Sequence, residues 1–388
     1  VISARARRVA LLCLLARPAW GEPVRPLPRD VAVALAGAAA QGPVALVESK
    51  PDGTMRQVTL LVLVHAPVEQ VRALVADVGA YPRFVPNLKQ ADFRQAPDGQ
   101  WVNTWRLELP ISSFTGHDAY EIAPTPLGPI GFHSLDTLAR YEWQFIPVGG
   151  GTLLVQAGYA DVLHANRFVR AVVRRQPPME HGLALAAQYM LVSAVRDEAE
   201  RRSGRPAISV PPTASSALER LSERGQVVVM RSSAGTLEEV SILDHVYAPE
   251  RRVHEIIVEP GDYPSFIAGV DRSVVTDRGA GELAYELEMS LPIVTWSTQY
   301  RMRLTEHAID GAGVGGDLRG ARYRWDLAMR GPSETLVTYR ANQPLARGSF
   351  VVRKLFEVDR SLEYGLNVAF ALLQLRSVRG RAEGWATK

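Results

Sequence analysis

From Ala66-Pro67 the chain reads APVEQVRALVADVGAYPRFVP, and 182 positions later, from Ala248-Pro249, it reads APERRVHEIIVEPGDYPSFIA. Gly79, Tyr81, Pro82 and Phe84 fall on Gly261, Tyr263, Pro264 and Phe266. The same offset carries Leu109-Pro110-Ile111 onto Leu291-Pro292-Ile293, and Tyr141 and Trp143 onto Tyr323 and Trp325. Toward the end of each copy the offset becomes 183, which takes Glu180, Gly182, Leu183 and Ala186 to Glu363, Gly365, Leu366 and Ala369. A period this long lies far outside the range of solenoid repeats, so the chain is expected to hold two complete domains of one fold. With 388 residues, each copy is long enough to close its own core.

The formal charge of +3 gives little reason to look for nucleic acid. Arg5, Arg7, Arg8 and Arg17 sit in the first 21 residues, and without them the count falls to about −1. Those residues have the order of a secretory signal: a basic stretch, the apolar run from Val9 to Ala16, then the small residues Ala19 and Gly21. The expectation is export to the periplasm, with a cytoplasmic location as the alternative. An amphipathic N-terminal helix or a tail would read much the same. Cys13 is the one cysteine and lies inside that run, so a processed chain would have no thiol and no disulfide.

Each copy opens with a short helical stretch, Arg29–Ala40 or Ala214–Arg224, followed by a hairpin. The hairpins are Val44–Glu48 with Arg56–His65, and Val227–Arg231 with Leu237–Tyr247. A helix follows each Ala-Pro and stops near the Gly of Gly-x-Tyr-Pro, because the residue before proline disfavours helix. Alternation then takes over. Trp105 and Leu107 share a face against Arg106 and Glu108, and Tyr141, Trp143 and Phe145 do the same later. This reads as an antiparallel sheet with one wet face. A long apolar helix closes each copy, Met179–Arg201 or Arg360–Arg379. The divisions expected are a signal segment at 1–21, a first domain at 28–201, a linker at 202–210 and a second domain at 211–384.

The Ala-Pro to Tyr-Pro-x-Phe block, the alternating strands and the closing helix resemble the coenzyme-Q-binding and polyketide-cyclase branch of the START, or Bet v 1-like, superfamily (SRPBCC), here in two tandem copies. The resemblance implies an α+β helix-grip fold: a seven-stranded antiparallel sheet wrapped round a long C-terminal helix, with an apolar cavity between them. It implies a hydrophobic ligand as partner and no cofactor. Some members are aromatase/cyclases, a few of them with two domains.

The residues themselves offer no metal, nucleophile or dinucleotide pattern: the eight histidines are scattered, no nucleophile elbow is present, and Gly311–Gly316 is followed by no helix. No catalytic residue is therefore assigned. The inward faces say more. Asp118 and Tyr120 align with Tyr300 and Met302, and an acid pointing into an apolar interior should have a raised pKa unless paired. Asp118 is either a ligand-orienting or acid–base group, or a strand-end carboxylate in water. Arg340 is a candidate for a ligand's oxygen, against a plain solvent-facing arginine. Trp105, Tyr141, Trp143 and Trp325 either line a cavity or fill a core. Gly182 and Gly365, inside the closing helices, mark a kink or a close approach, to a strand or to a ligand. Leu127, Ile130 and Phe132 stand in the proline-broken stretch PTPLGPIGF, read as a gate loop or a transient membrane foot, or as a loop tucked against the other copy.

Two functions follow. The leading one is binding, and carriage, of a lipid-like molecule (quinone, sterol, hopanoid or fatty chain) in the cell envelope. The alternative is a double-domain polyketide aromatase/cyclase. A third possibility is that one copy has no pocket and serves as an interaction domain.

Overall fold

The structure is a computed structural model, and it describes residues 23–109, 112–125, 127–161, 170–171, 173–174, 179–213, 215–233, 236–291, 294–358 and 360–385. The expected signal segment lies outside them. The first half contains β1 (Val44–Ser49), β2 (Met55–Val64), β3 (Leu88–Gln95), β4 (Trp101–Leu109), β5 (Ser112–Ile122), β6 (Ile130–Ser134), β7 (Ala139–Val148) and β8 (Gly151–Ala160). The second contains β9 (Gln226–Ser233), β10 (Thr236–Val246), β11 (Val270–Gly279), β12 (Glu282–Leu291), β13 (Val294–Leu304), β14 (Ala308–Gly316), β15 (Arg322–Gly331) and β16 (Glu334–Asn342). Within each half the strands lie in the same order: first, second, eighth, then back down to the third. The closing helices are Met179–Ser203 and Ser361–Glu383. Each half is thus a helix-grip domain, with eight strands where seven were expected.

The halves are not separate bodies on a string. β1 pairs antiparallel with β9, so the two sheets run together as one sheet of sixteen strands. Ala45 lies opposite Val228, its own counterpart at the 183 offset, with Val44 opposite Val229 and Leu46 opposite Val227 on either side. That reciprocal register is the signature of a local two-fold axis, as in an isologous dimer. It also gives each half's leading edge strand a partner, removing an exposed ladder of N–H and C=O groups. Gly42 and Gly225, equivalent residues, make the approach possible. A Cβ on Gly42 would strike the Met230 carbonyl, and one on Gly225 the Val47 carbonyl, at 2.4 Å.

Around this join the sheet is buried on both sides. Leu35, Val44, Leu46, Leu61, Leu153, Leu221 and Val227 form a core on the outer face beneath the helices Arg29–Ala34, Ala36–Ala39 and Ser215–Ser222. The expected linker belongs to this layer as well. Ile208 and Val210 pack against the outer core, and Ser209 N–H donates to the Gly149 carbonyl at 3.4 Å.

The repeated Gly-x-Tyr-Pro-x-Phe block is architectural. The Tyr81 hydroxyl donates to the Val75 carbonyl at 2.8 Å, and Tyr263 to Ile257 at 2.6 Å, so each tyrosine satisfies an orphan carbonyl at the end of its preceding helix. Its neighbour packs edge-on, Tyr81 on Phe84 at 5.5 Å and Tyr263 on Phe266 at 5.8 Å. Among the described residues no helix is long and apolar enough to cross a membrane.

Candidate functional site

Strand alternation sends every second side chain of β4 to β8 toward the first closing helix. Register then lines them up across the sheet: Trp101 opposite Tyr120, Tyr120 opposite Phe132, Phe132 opposite Tyr141, and Tyr141 opposite Gly158. Their rings touch in sequence, Tyr120 to Phe132 at 5.3 Å and Phe132 to Tyr141 at 5.0 Å, both stacked. Gly158 is required beneath Tyr141, where a Cβ would lie 2.3 Å from the ring. One rung further along, Asn103 faces Asp118, and Asp118 faces Ser134.

Asp118 is 6% exposed. The Trp105 indole donates to its Oδ2 at 2.8 Å. Burial dominates its protonation and pushes its pKa up from 3.8 to about 7; the indole hydrogen bond opposes the shift, Asp136 adds to it and Ser134 opposes it. The carboxyl is therefore divided between acid and anion near neutrality. Burial also pushes the phenols of Tyr120 and Tyr141 well above their ordinary range. The amide of Asn103 faces the Tyr120 hydroxyl, and that of Gln188, on the closing helix, faces Tyr141. Asn103 Oδ1, Gln156 Oε1 and Gln188 Oε1 are buried with no hydrogen-bond partner, and such atoms cost free energy until something donates to them. Although they sit under the closing helix, the rings of Phe93, Trp105, Phe132 and Tyr141 keep part of their surface open.

The second half fills the same positions. Asn103 becomes Tyr285, Asp118 becomes Tyr300, Gln156 becomes Tyr339 and Gln188 becomes Ala371. Tyr285, Tyr300, Tyr323 and Tyr339 are all buried. They pack on one another, Tyr285 on Tyr300 at 5.3 Å, and the Tyr285 and Tyr323 hydroxyls bond at 3.0 Å. Trp325 lies against Tyr339 at 4.1 Å and is 2% exposed. Tyr300 and Trp325 here are core.

Other expected site residues are placed differently. Arg340 projects from the opposite face to Tyr339, toward solvent, and pairs with Asp326 at 3.3 Å. Gly182 and Gly365 do not approach a strand: they are where the two closing helices cross. A Cβ on Gly182 would lie 2.2 Å from that of Ala369, and one on Gly365 2.1 Å from that of Ala186. Trp143 is 1% exposed, packed in the first core beside Gln156. Ile130 and Phe132 are not loop residues but the start of β6, with Ile130 fully buried. Leu127 alone stays in the connection, half exposed. That connection is held by Arg72 of the helix Val68–Ala76, whose guanidinium donates to the carbonyls of Ala123 and Gly128. A groove of about 630 Å³ runs beneath Leu127, between Pro67-Val68 and the Pro147–Gly151 turn.

Asn103, Gln156 and Gln188 were not singled out from sequence as binding residues. The signal was there: at the repeat offset each is replaced by a residue that cannot do the same work. Among the described residues no three His, Cys, Asp or Glu side chains gather as metal ligands would.

No family model matches the chain, and no curated protein matches it. Solved structures similar to it include the two-domain aromatase/cyclase StfQ of the steffimycin biosynthetic pathway, 17% identical over 84% of this chain and 99% of that one, TM-score 0.30. The Zhui aromatase/cyclase from Streptomyces sp. R1128 is 14% identical over 38% of this chain and 93% of its own, TM-score 0.33. A STAR-related lipid transfer protein from Xanthomonas axonopodis is 12% identical over 41% and 92%, TM-score 0.32. What this chain binds is read below from its own residues.

Proposed function

We propose that the first half binds a neutral, largely apolar small molecule that carries hydroxyl groups, of the sterol, hopanoid or quinol kind, and that the second half is its structural partner. The observation that carries this is the contrast between equivalent interiors. One presents partly open aromatic rings around Asn103, Asp118, Gln156 and Gln188, while the other places the packed Tyr285, Tyr300 and Tyr339 at the first three of these positions and Ala371 at the fourth. The rings supply apolar and stacking surface. Buried amides, phenols and a protonatable acid both donate and accept, which suits a hydroxyl better than an anion or a bare hydrocarbon. Carriage in the cell envelope belongs to the same proposal and rests on the basic-then-apolar order of residues 5–16.

A second reading, a cyclase or dehydratase, is favoured by one observation: a carboxyl with a pKa of about 7 is poised for proton transfer at neutral pH. One experiment separates the two. Purified protein is extracted with organic solvent and the extract analysed by mass spectrometry. An intact hydroxylated lipid recovered at up to one per chain supports carriage. Recovery of nothing, together with turnover of poly-ketone chains that is lost in Asp118→Asn, supports the enzyme and overturns the carrier.

A further inference from the structure

A second cavity, of about 530 Å³, lies at the junction of the two halves, away from the interior of the first. The β1–β2 turn of the first half forms one wall, with Ser49, Lys50 and Gly53. The start of β9, the end of β10 and the second closing helix form the others. At its base Arg376 is 9% exposed. A guanidinium taken so far out of water is normally matched by a carboxylate. This one is not. Its Nη1 donates to Ser49 Oγ at 2.8 Å and Gln226 Oε1 at 3.2 Å, and its Nη2 donates to the Gly53 carbonyl at 2.7 Å. All three acceptors are neutral, and a guanidinium has five N–H donors.

The nearby carboxylates are engaged elsewhere. Asp244 is held by Gln226 at 2.8 Å and Arg379 at 2.9 Å. Asp52 folds back onto Thr54, at 2.9 Å from its amide and 2.6 Å from its hydroxyl. Glu180 accepts from the Met55 amide at 3.3 Å, and Glu48 is bridged to Arg224 at 3.4 Å. Glu223 remains, exposed at the rim. Lys50, also at the rim, has no ion pair among the described residues. On the far side Arg379 lies over the rings of Tyr247 at 5.7 Å and Trp385 at 5.3 Å, which form an aromatic wall. Burial lowers the pKa of Arg376 to about 10; Asp244 and Glu180 oppose that shift from nearby, and Arg379 adds to it.

We propose that this junction is a binding site for a small oxyanion, a carboxylate or phosphate group on a ligand whose body rests against Tyr247 and Trp385, with Arg376 and Lys50 as its cationic contacts. The group bridges the halves, because Lys50 belongs to the first and Arg376 to the second. Its binding therefore stabilises the assembled chain by mass action.

The test is thermal unfolding and isothermal titration of the full chain with inorganic phosphate and, separately, with succinate, at constant ionic strength set with sodium chloride. A saturable rise in unfolding temperature with phosphate alone identifies a phosphoryl ligand, and one with succinate identifies a carboxylate. Lys50→Glu should weaken binding by about tenfold or more, the effect of losing one charge-assisted contact, and Arg376→Gln should abolish it. Should Arg376→Gln fail to fold, Lys50→Glu at the exposed rim decides alone. A response that does not saturate, that chloride reproduces, or that Lys50→Glu leaves unchanged overturns the proposal.

Discussion

Asp118 couples protonation to stability, and the sign follows from its environment. Its pKa is about 7 in the folded chain and near the ordinary 3.8 when unfolded. Below about pH 4 both states hold the proton and nothing is lost. Between about pH 4 and 7 the folded state keeps a proton that the unfolded state releases, so stability falls as pH rises, by up to about 4 kcal/mol in all. Asp118→Asn has no charge to bury and still accepts from Trp105. Its unfolding temperature should match the parent's at pH 4 and exceed it at pH 8; equal curves at both would show that the carboxyl is not buried as described. Ligand binding should follow the same group. If the carboxylic acid donates to the ligand's oxygen, affinity measured by tryptophan quenching weakens above about pH 7 and loses that dependence in Asp118→Asn. Asp118 was legible in the sequence because alternation along β5 fixes its face. Arg340 was misread for a related reason: one position along a strand reverses the face, and Tyr339, not Arg340, is the inward residue of β16.

At the scale of elements, the crossing of the closing helices is the feature that sequence could only half state. Glycine inside a helix announces a close approach but does not name the neighbour. Here the neighbours are Ala369 for Gly182 and Ala186 for Gly365, related by the repeat itself. Since the contact on each side is backbone and Cβ, neither can swing away. Gly182→Val should destabilise by about 1–3 kcal/mol or more through overpacking, with Gly365→Val close to it, as denaturant midpoints would show. A small effect from both would mean that the helices do not meet there. The stretch from Pro124 to Phe132 shows a different limit. Its prolines and glycines suggested a single flexible connection, yet pairing resumes at Ile130, immediately after Pro129, and Arg72 fastens what precedes it. A tertiary clamp of that kind leaves no local pattern.

For the whole molecule, the repeat offset made two domains of one fold legible, and the alternating strands and long final helices gave the architecture of each. The union of both sheets was not legible, because an edge strand carries no mark of which other edge will complete its ladder. The division of labour lay between these cases: Asp118 against Tyr300 hinted at it, and the full set of exchanges appears once registers are known. One hydroxylated lipid per chain is expected in native mass spectrometry, never two. Converting the first interior to the second by Asn103→Tyr with Asp118→Tyr should remove that binding while the fold is retained. Binding that survives both changes would place the ligand elsewhere.

The strand pair between β1 and β9 carries a liability as well as a bond. A chain cut at the connection near Gly204 would remain whole for as long as the join holds. Once it parted, each fragment would bare a β-branched edge running from Val44 or Val227, ready to pair with any copy of itself. Nicked material should therefore behave as intact protein until it is warmed, then precipitate rather than dissociate into soluble halves.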